Sequence, residues 1–478
     1  MAPSPPSGRE VFLITLLLFS LLYFCNENSS RESLHFPSSQ HLPSITPNVS
    51  YTTHIPNRET PTRLSWGSSR VPETKVIAHA PGWSMFDKLY LYKGTVFLVS
   101  DNQKVVPEPV AVYSKGIELK LGEEAERLRH PTDEDFRVVS TEEAKQLFGS
   151  RAQIIDGMTF LVNEPEQFLT HYYHWSAELL YGLWRTYSSL DTTITQDGRT
   201  FLEPPKRMMF NRIDADHWRD YASMNQFVAR TSFPSLIMEF RRDWLDRIQM
   251  NTPFVFDRVL VADRSAAMPA FTYQRSQRIA SVPFGLPGSG HSDWWMPIRN
   301  NVIRYTGMEV NVGGGTTETP VITYVSRQEW NRRKLIPEDH ENLVRELYKL
   351  RDEHGYEVNV VSMDKLTRQE QIRLAARTTI LMGVHGNGLT ALLWMNPTPR
   401  STVMEFFFPQ GFAYDYEFTA RAMGIKHYGF WGSTYFTSPS SPVPKYVEGF
   451  QGNAIPIDGA AVAELCHYRL SLAPEVDD

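Results

Sequence analysis

Four short stretches hold side chains whose types and spacing could do chemistry. The first is His171-Tyr-Tyr-His174-Trp-Ser-Ala-Glu178. At about 100° per residue, His171, His174 and Glu178 share one face of a helix. A histidine or carboxylate within hydrogen-bond reach of a hydroxyl can remove its proton. Two histidines and a carboxylate could also supply three zinc ligands, although this spacing matches no common zinc motif. A polar helix face with hydrogen-bonded histidines is the plainer alternative. The second stretch is Ser326-Arg327 with Asn331-Arg332-Arg333-Lys334. Guanidinium forks match phosphate oxygens bidentately, so this loop is either a diphosphate anchor or a solvated basic turn. The third is Gly383-Val384-His385-Gly386-Asn387-Gly388-Leu389-Thr390. A strand, a glycine turn and a helix start would aim unpaired backbone N–H groups at one spot, which suits an anion. The alternative is a tight turn around a packed histidine. The fourth is Glu405, which ends an apolar strand where a carboxylate can take ribose hydroxyls or pair with Arg333.

The surrounding pattern says how these stretches are positioned. Leu89 to Tyr92 and Thr95 to Val99, joined by Lys93-Gly94, predict a hairpin. Met158 to Val162, Lys206 to Phe210 and Arg258 to Asp263 read as strands, with helical stretches at Gln167 to Tyr187 and near Ser235 to Met250. Gly313-Gly314-Gly315 reads as a linker. After it, strands at 321–325, 357–361, 379–382, 402–407 and 427–430 alternate with helices at 337–353, 368–376 and 414–423. That alternation predicts a parallel, doubly wound sheet whose ligands bind beyond the carboxyl ends of the strands. Arg327, His385 and Glu405 all fall at that edge. The triplets Asp214-Ala-Asp216 and Asp133-Glu-Asp135 also fit a loose metal-site pattern, but neither follows an apolar strand that ends at a sheet edge.

The chain has 478 residues, 41% hydrophobic and 12% aromatic, with a formal net charge of −6. It can bury sizeable cores, and without a long basic block nothing calls for nucleic acid. Residues 11–25 are uninterrupted by charge, about 15 residues against the ~20 of a usual span. They read as an uncleaved anchor rather than a signal peptide, because no small-x-small site follows. The expected layout is a cytoplasmic tail at 1–10, the anchor at 11–25 and a disordered stem at 26–70. An acceptor-side α/β domain at 71–312 and a nucleotide-sugar domain at 313–450 follow, with a helix and tail at 451–478. Sequons at Asn28 and Asn48 agree with a lumenal location. Only Cys25 and Cys466 are present, too remote in the chain for a disulfide to be expected.

The blocks Tyr172-Tyr-His174-Trp-Ser-Ala-Glu178, Val325-Ser-Arg327 with Arg332-Arg333, Gly383 to Thr390 and Val403-Met-Glu405 together resemble glycosyltransferase family 61. Pro81-Gly82-Trp83 and Trp218-Arg-Asp-Tyr221 look like its fungal branch. The resemblance covers about residues 75 to 450. It implies a GT-B architecture of two Rossmann-like domains facing a cleft, in a type II Golgi or endoplasmic-reticulum membrane enzyme. It also implies inverting transfer of xylose or N-acetylglucosamine from a UDP-sugar to a glycan or glycoprotein, without a metal or other cofactor. Asn387 stands where many members carry Ala, and Glu178 where several carry Asp. On this reading the diphosphate lies on Arg327, Arg332, Arg333 and the turn from Gly383 to Thr390, with Glu405 at the ribose. Glu178, through or instead of His174, is the base. Trp175, Trp218, Trp294 and Trp295 are candidates to stack on acceptor sugars. A lumenal nucleotide-sugar- or carbohydrate-binding protein without catalysis is the alternative.

Overall fold

In the computed structural model, residues 62–288, 292–310 and 319–473 are described. The expected anchor, most of the stem, both sequons and the Gly313–Gly315 linker lie outside them. Among the described residues no helix is long and apolar enough to cross a membrane.

Strands β1 (Arg63–Ser65), β2 (Lys75–Ala80), β3 (Trp83–Asp87), β4 (Tyr90–Tyr92), β5 (Thr95–Val99), β6 (Phe136–Val139), β7 (Arg151–Val162), β8 (Arg207–Phe210), β9 (Ile237–Glu239) and β10 (Phe254–Ala262) form one sheet. Its main path runs β6-β5-β4-β10-β7-β8-β9. The predicted hairpin is present: Lys93 and Gly94 both take positive φ, at 52° and 94°, as a tight two-residue turn requires. Strands β10, β7, β8 and β9 are parallel, but β3 and β4 pair with β10 antiparallel. The first sheet is therefore mixed, which corrects the expectation of a doubly wound parallel unit. Hairpins need no crossover helix, so they can extend one side of the sheet with short turns. Two boundaries also move. Arg63–Ser65 pairs with β7 inside the segment expected to be stem, with Trp66 and Val71 buried behind it. The stretch read as helix near 235–250 is strand β9 followed by the helix Arg241–Gln249.

The second sheet follows the expected pattern closely. Strands β11 (Val321–Val325), β12 (Glu357–Val361), β13 (Ile380–Val384), β14 (Thr402–Phe406) and β15 (Lys426–Trp431) are parallel in the order β12-β11-β13-β14-β15, and β16 (Thr434–Phe436) adds an antiparallel edge. Leu343, Leu347 and Leu350 of the helix Pro337–His354 pack on one face, with the C-terminal helix Gly459–Leu470. Ile372 and Ala375 of the helix Arg368–Arg377 pack on the other. Helices on both faces make this sheet doubly wound. The first strand in sequence lies beside both the second and the third, so the winding reverses between β11 and β13. Crevices open at the carboxyl ends of such a switch point.

The two sheets share one core. Trp83, Phe160 and Trp175 from the first side pack in the same cluster as Leu381, Leu389, Trp394 and Val403 from the second, and the described residues form one compact unit. Trp294 and Trp295 lie in this seam, their indole N–H groups donating to Ala422 O at 3.3 Å and Leu393 O at 2.9 Å. Trp175 and Trp218 are equally buried. None of the four offers a face to a sugar, which corrects their assignment as stacking platforms. A large indole in a dry seam contributes mainly packing.

Candidate active site

Between β7 and β8 the chain does not form one continuous α-helix. A short helix at Glu166–Leu169 is followed by a π-helical segment, His174–Leu180, and then the α-helix Tyr181–Ser188. π-Helical turns are rare and frequently mark functional sites. The helix lies close on the first sheet because Gly182 has no Cβ, which would stand 2.3 Å from the Trp83 ring. Through the widened turn, His174 Nδ1 reaches Glu178 Oε2 at 2.7 Å. The His171 ring lies 5.0 Å from that of His174, so the predicted clustering of all three holds.

Glu178 has further partners that no local pattern announced. Arg264 Nη1 donates to its Oε2 at 2.6 Å, and Arg278 Nη1 approaches Oε1 at 3.3 Å. Arg264 is itself shared with the buried Glu164, and Arg278 bonds Asp415 Oδ1 at 2.8 Å. Glu178 is only 3% exposed. Burial alone would raise its carboxyl, but Arg264, His174 and Arg278 together hold it well below the usual carboxylate range. It is a fixed anion with both oxygens engaged. The donor set also fails the zinc alternative, because two guanidiniums fill the space at the carboxylate where a cation would sit. His174 differs: its Nδ1 is committed to Glu178, its side chain is a quarter exposed, and Nε2 has no partner among the described residues.

The second half of the site stands at the β11/β13 switch point. The Arg327 and Arg333 guanidiniums close on Gly386, where a Cβ would stand 3.0 Å from Arg327 Nη1 and 3.5 Å from Arg333 Nη1. Arg333 Nη1 also donates to His385 O at 3.1 Å, and Arg327 lies over the Trp330 ring. Neither arginine has a carboxylate partner among the described residues, and the Nε of each is buried without a hydrogen bond. Desolvation and the proximity of like charges lower the pKa of both. Two half-buried, mutually repelling, unneutralised guanidiniums form a site that asks for an anion. Arg332 is exposed on the same loop and joins neither contact.

The glycine turn is narrower as a cradle than expected. Gly383 lies within β13, where a Cβ would stand 2.9 Å from Val325 O, and a Cβ on Gly388 would stand 2.7 Å from Val325 Cγ1. Both serve close packing of β13 and its turn against β11. The helix that follows, Asn387–Trp394, is 3-10, and Leu389 N already donates to Gly386 O at 2.9 Å. Leu389 and Thr390 are buried side chains. Of this turn, Asn387 and Gly388 line the crevice and Gly386 meets the two guanidiniums. Asn387 Oδ1 also accepts from Tyr173 N at 3.2 Å, which ties this turn to the segment carrying His174.

Glu405 corrects the ribose assignment. It is 0% exposed, with Oε1 at 2.5 Å from His385 Nδ1 and Oε2 at 2.9 Å from His427 Nε2. Its register partners are glycines on both sides, Gly383 and Gly429. The two imidazoles hold the carboxylate inside the protein instead of leaving it to project from the sheet edge. The crevice is also lined by Tyr221 of the Trp218–Tyr221 motif and by residues outside the quoted motifs, Trp330, Met363, Asp364 and Gln371. Met363 and Asp364 could have been found from their position just after β12, at the same carboxyl edge.

The family model described as Glycosyltransferase 61 matches residues 121–404, more than half of the chain. That span contains both halves of the site and stops one residue before Glu405. No curated protein matches the chain.

Proposed function

Because the chain belongs to the glycosyltransferase 61 family, we propose that it is an inverting transferase that moves a sugar from a UDP-sugar to a hydroxyl of a glycan or glycoprotein. Xylose is the favoured donor sugar and N-acetylglucosamine the next. The setting is the lumen of the Golgi or endoplasmic reticulum, with the segment at 11–25 as a type II anchor. The observation that carries this reading is the pair Arg327 and Arg333, converging unneutralised on Gly386 at a switch point of a parallel sheet.

The mechanism follows from what each group can do. The diphosphate sits against Arg327, Arg333 and the Gly386–Asn387 turn, where fixed positive charge stabilises the leaving nucleoside diphosphate without a metal. As the bond from the anomeric carbon to the β-phosphate oxygen breaks, its electron pair goes to that oxygen. The acceptor oxygen attacks from the opposite face, and its proton passes to a base. A carboxylate held far below its ordinary pKa, with both oxygens filled, is a weak base. Glu178 therefore accepts from Nδ1 of His174 and orients the ring, whose Nε2 takes the proton. Asn387 and Tyr173 keep the donor and base halves in register.

The test is transfer itself. Purified enzyme, with EDTA present, is incubated with UDP-xylose or UDP-N-acetylglucosamine and a glycan acceptor panel, and the product anomer is read by NMR. The reading expects inverted product with wild type and transfer about 10²- to 10⁴-fold slower with His174→Gln. Retained configuration, or transfer that depends wholly on added metal, would overturn it. UDP binding with no transfer to any acceptor would favour the binding-protein alternative.

A further inference from the structure

His385 rests on a carboxylate with no other outlet. Each oxygen of the fully buried Glu405 meets one imidazole nitrogen, His385 Nδ1 or His427 Nε2. A carboxylate only accepts, so both nitrogens carry hydrogen. The remaining nitrogen of His427, Nδ1, is buried with no partner. A proton there would add an orphan donor to a buried charge, whereas a bare lone pair costs less. The geometry thus puts the hydrogen of His427 on Nε2. Arg333 offsets the charge of Glu405 at longer range, and the imidazole of His385 is the other group in hydrogen-bond contact with it. With Nδ1 committed, His385 has only Nε2 to present, and the residue leads straight into the Gly386–Asn387 turn.

The other groups around His385 decide when it is charged. Arg333 bonds its carbonyl and Arg327 lies against Gly386, so two guanidiniums stand beside the segment that carries the ring. From the helix Asp415–Ala422 the Tyr416 ring approaches to 5.6 Å, beside Asp415. Phe407 and Phe450 complete the surround at 5.7 and 5.2 Å, with Tyr446 against Phe450. One buried anion and two guanidiniums therefore act on the ring in opposite senses. A diphosphate neutralises the guanidiniums and tips that balance.

We propose that His385 takes up a proton when a nucleoside diphosphate binds and donates from Nε2 to the β-phosphate, with Glu405 and His427 as positioning residues that fix its tautomer and offset its charge. This rests on the transferase reading above. The proton comes from solvent on binding. When the electron pair of the broken bond arrives at the β-phosphate oxygen, that proton is hydrogen-bonded to it or passes to it. The proton lost by the acceptor hydroxyl goes separately to His174, so His385 returns to its starting state as the diphosphate leaves.

The probe is UDP alone, titrated calorimetrically into the full chain at near-neutral pH in PIPES, HEPES and Tris, which differ in ionisation enthalpy. The slope of apparent enthalpy against buffer enthalpy counts protons. Wild type is expected to take up roughly half a proton or more per UDP. His385→Gln should still bind, more weakly, with that uptake abolished, and Glu405→Gln should at least halve it. Equal uptake in wild type and His385→Gln would overturn the proposal. So would a Glu405→Gln protein that folds, binds UDP and shows wild-type uptake. Should Glu405→Gln not fold, histidine 13C NMR of wild type decides, with His385 assigned by its loss in His385→Gln. The His385 resonance must move to the imidazolium position on adding UDP, and a neutral ring in the complex refutes the idea. A wild-type protein that binds no UDP would instead bring down the transferase reading.

Discussion

Glu178 divides its two oxygens among His174, Arg264 and Arg278, and that division sets what each substitution in the cluster does. His174→Gln keeps the volume and a hydrogen bond to Glu178 but removes the base. Transfer should fall about 10²- to 10⁴-fold with UDP affinity nearly unchanged, checked by initial rates beside calorimetry. Glu178→Gln leaves Arg264 with Glu164 and Arg278 with Asp415 but removes the anion between them, a loss of about 1–3 kcal/mol in denaturant unfolding. The pH sign follows from the depressed folded pKa. The ion cluster stabilises fully above the unfolded carboxyl value of about 4.3 and loses its effect as pH falls through the folded value. Thermal melts of wild type should therefore decline across that acid window, and Glu178→Gln, weaker at neutral pH, should lack this part of the slope. The His174 and Glu178 pairing was legible because it is local. Arg264 and Arg278 lie 86 and 100 residues from Glu178, and only the folded chain brings them there. Glu405 was legible as a strand-end carboxylate, but its engagement depends on His385 and His427, 20 and 22 residues away in the chain.

The elements explain why Gly386 and Gly383, three residues apart, have different jobs. Gly386 has an extended backbone, and what a methyl group would meet there is the ends of the Arg327 and Arg333 side chains. Gly386→Ala should fold normally and weaken UDP binding about tenfold, roughly 1.4 kcal/mol, by displacing the guanidiniums. Gly383→Ala meets the rigid Val325 carbonyl instead, so it should cost about 1–3 kcal/mol of stability. Chemical denaturation and UDP titration of the two variants separate the roles. The alternation of strands and helices made the second sheet readable, since buried parallel strands and their crossover helices leave strong periodic signals. The first sheet was less so, because hairpin strands that join a parallel set carry no mark of their pairing direction. The π-helical segment gave no sign either. Its residues suit an α-helix, and the wider turn is held by distant contacts such as Tyr173 N to Asn387 Oδ1.

Taken as a unit, the two sheets meet at a seam closed by aromatic packing and by Arg278, which joins Glu178 to Asp415. Trp295 belongs to that closure. Trp295→Ala should cost about 3–5 kcal/mol by denaturant unfolding and leave the acceptor KM of the remaining folded enzyme near wild type. A stable variant with a raised acceptor KM would restore its role as a sugar platform. The central claim is that Arg327 and Arg333 hold the diphosphate of a nucleotide sugar in place of a metal. Its most direct test is thermal stabilisation by UDP in EDTA, comparing wild type with Arg327→Ala/Arg333→Ala. The account predicts a rise of several degrees in wild type at UDP well above Kd, and none in the double variant. No rise in wild type, or an equal rise in both proteins, would contradict it.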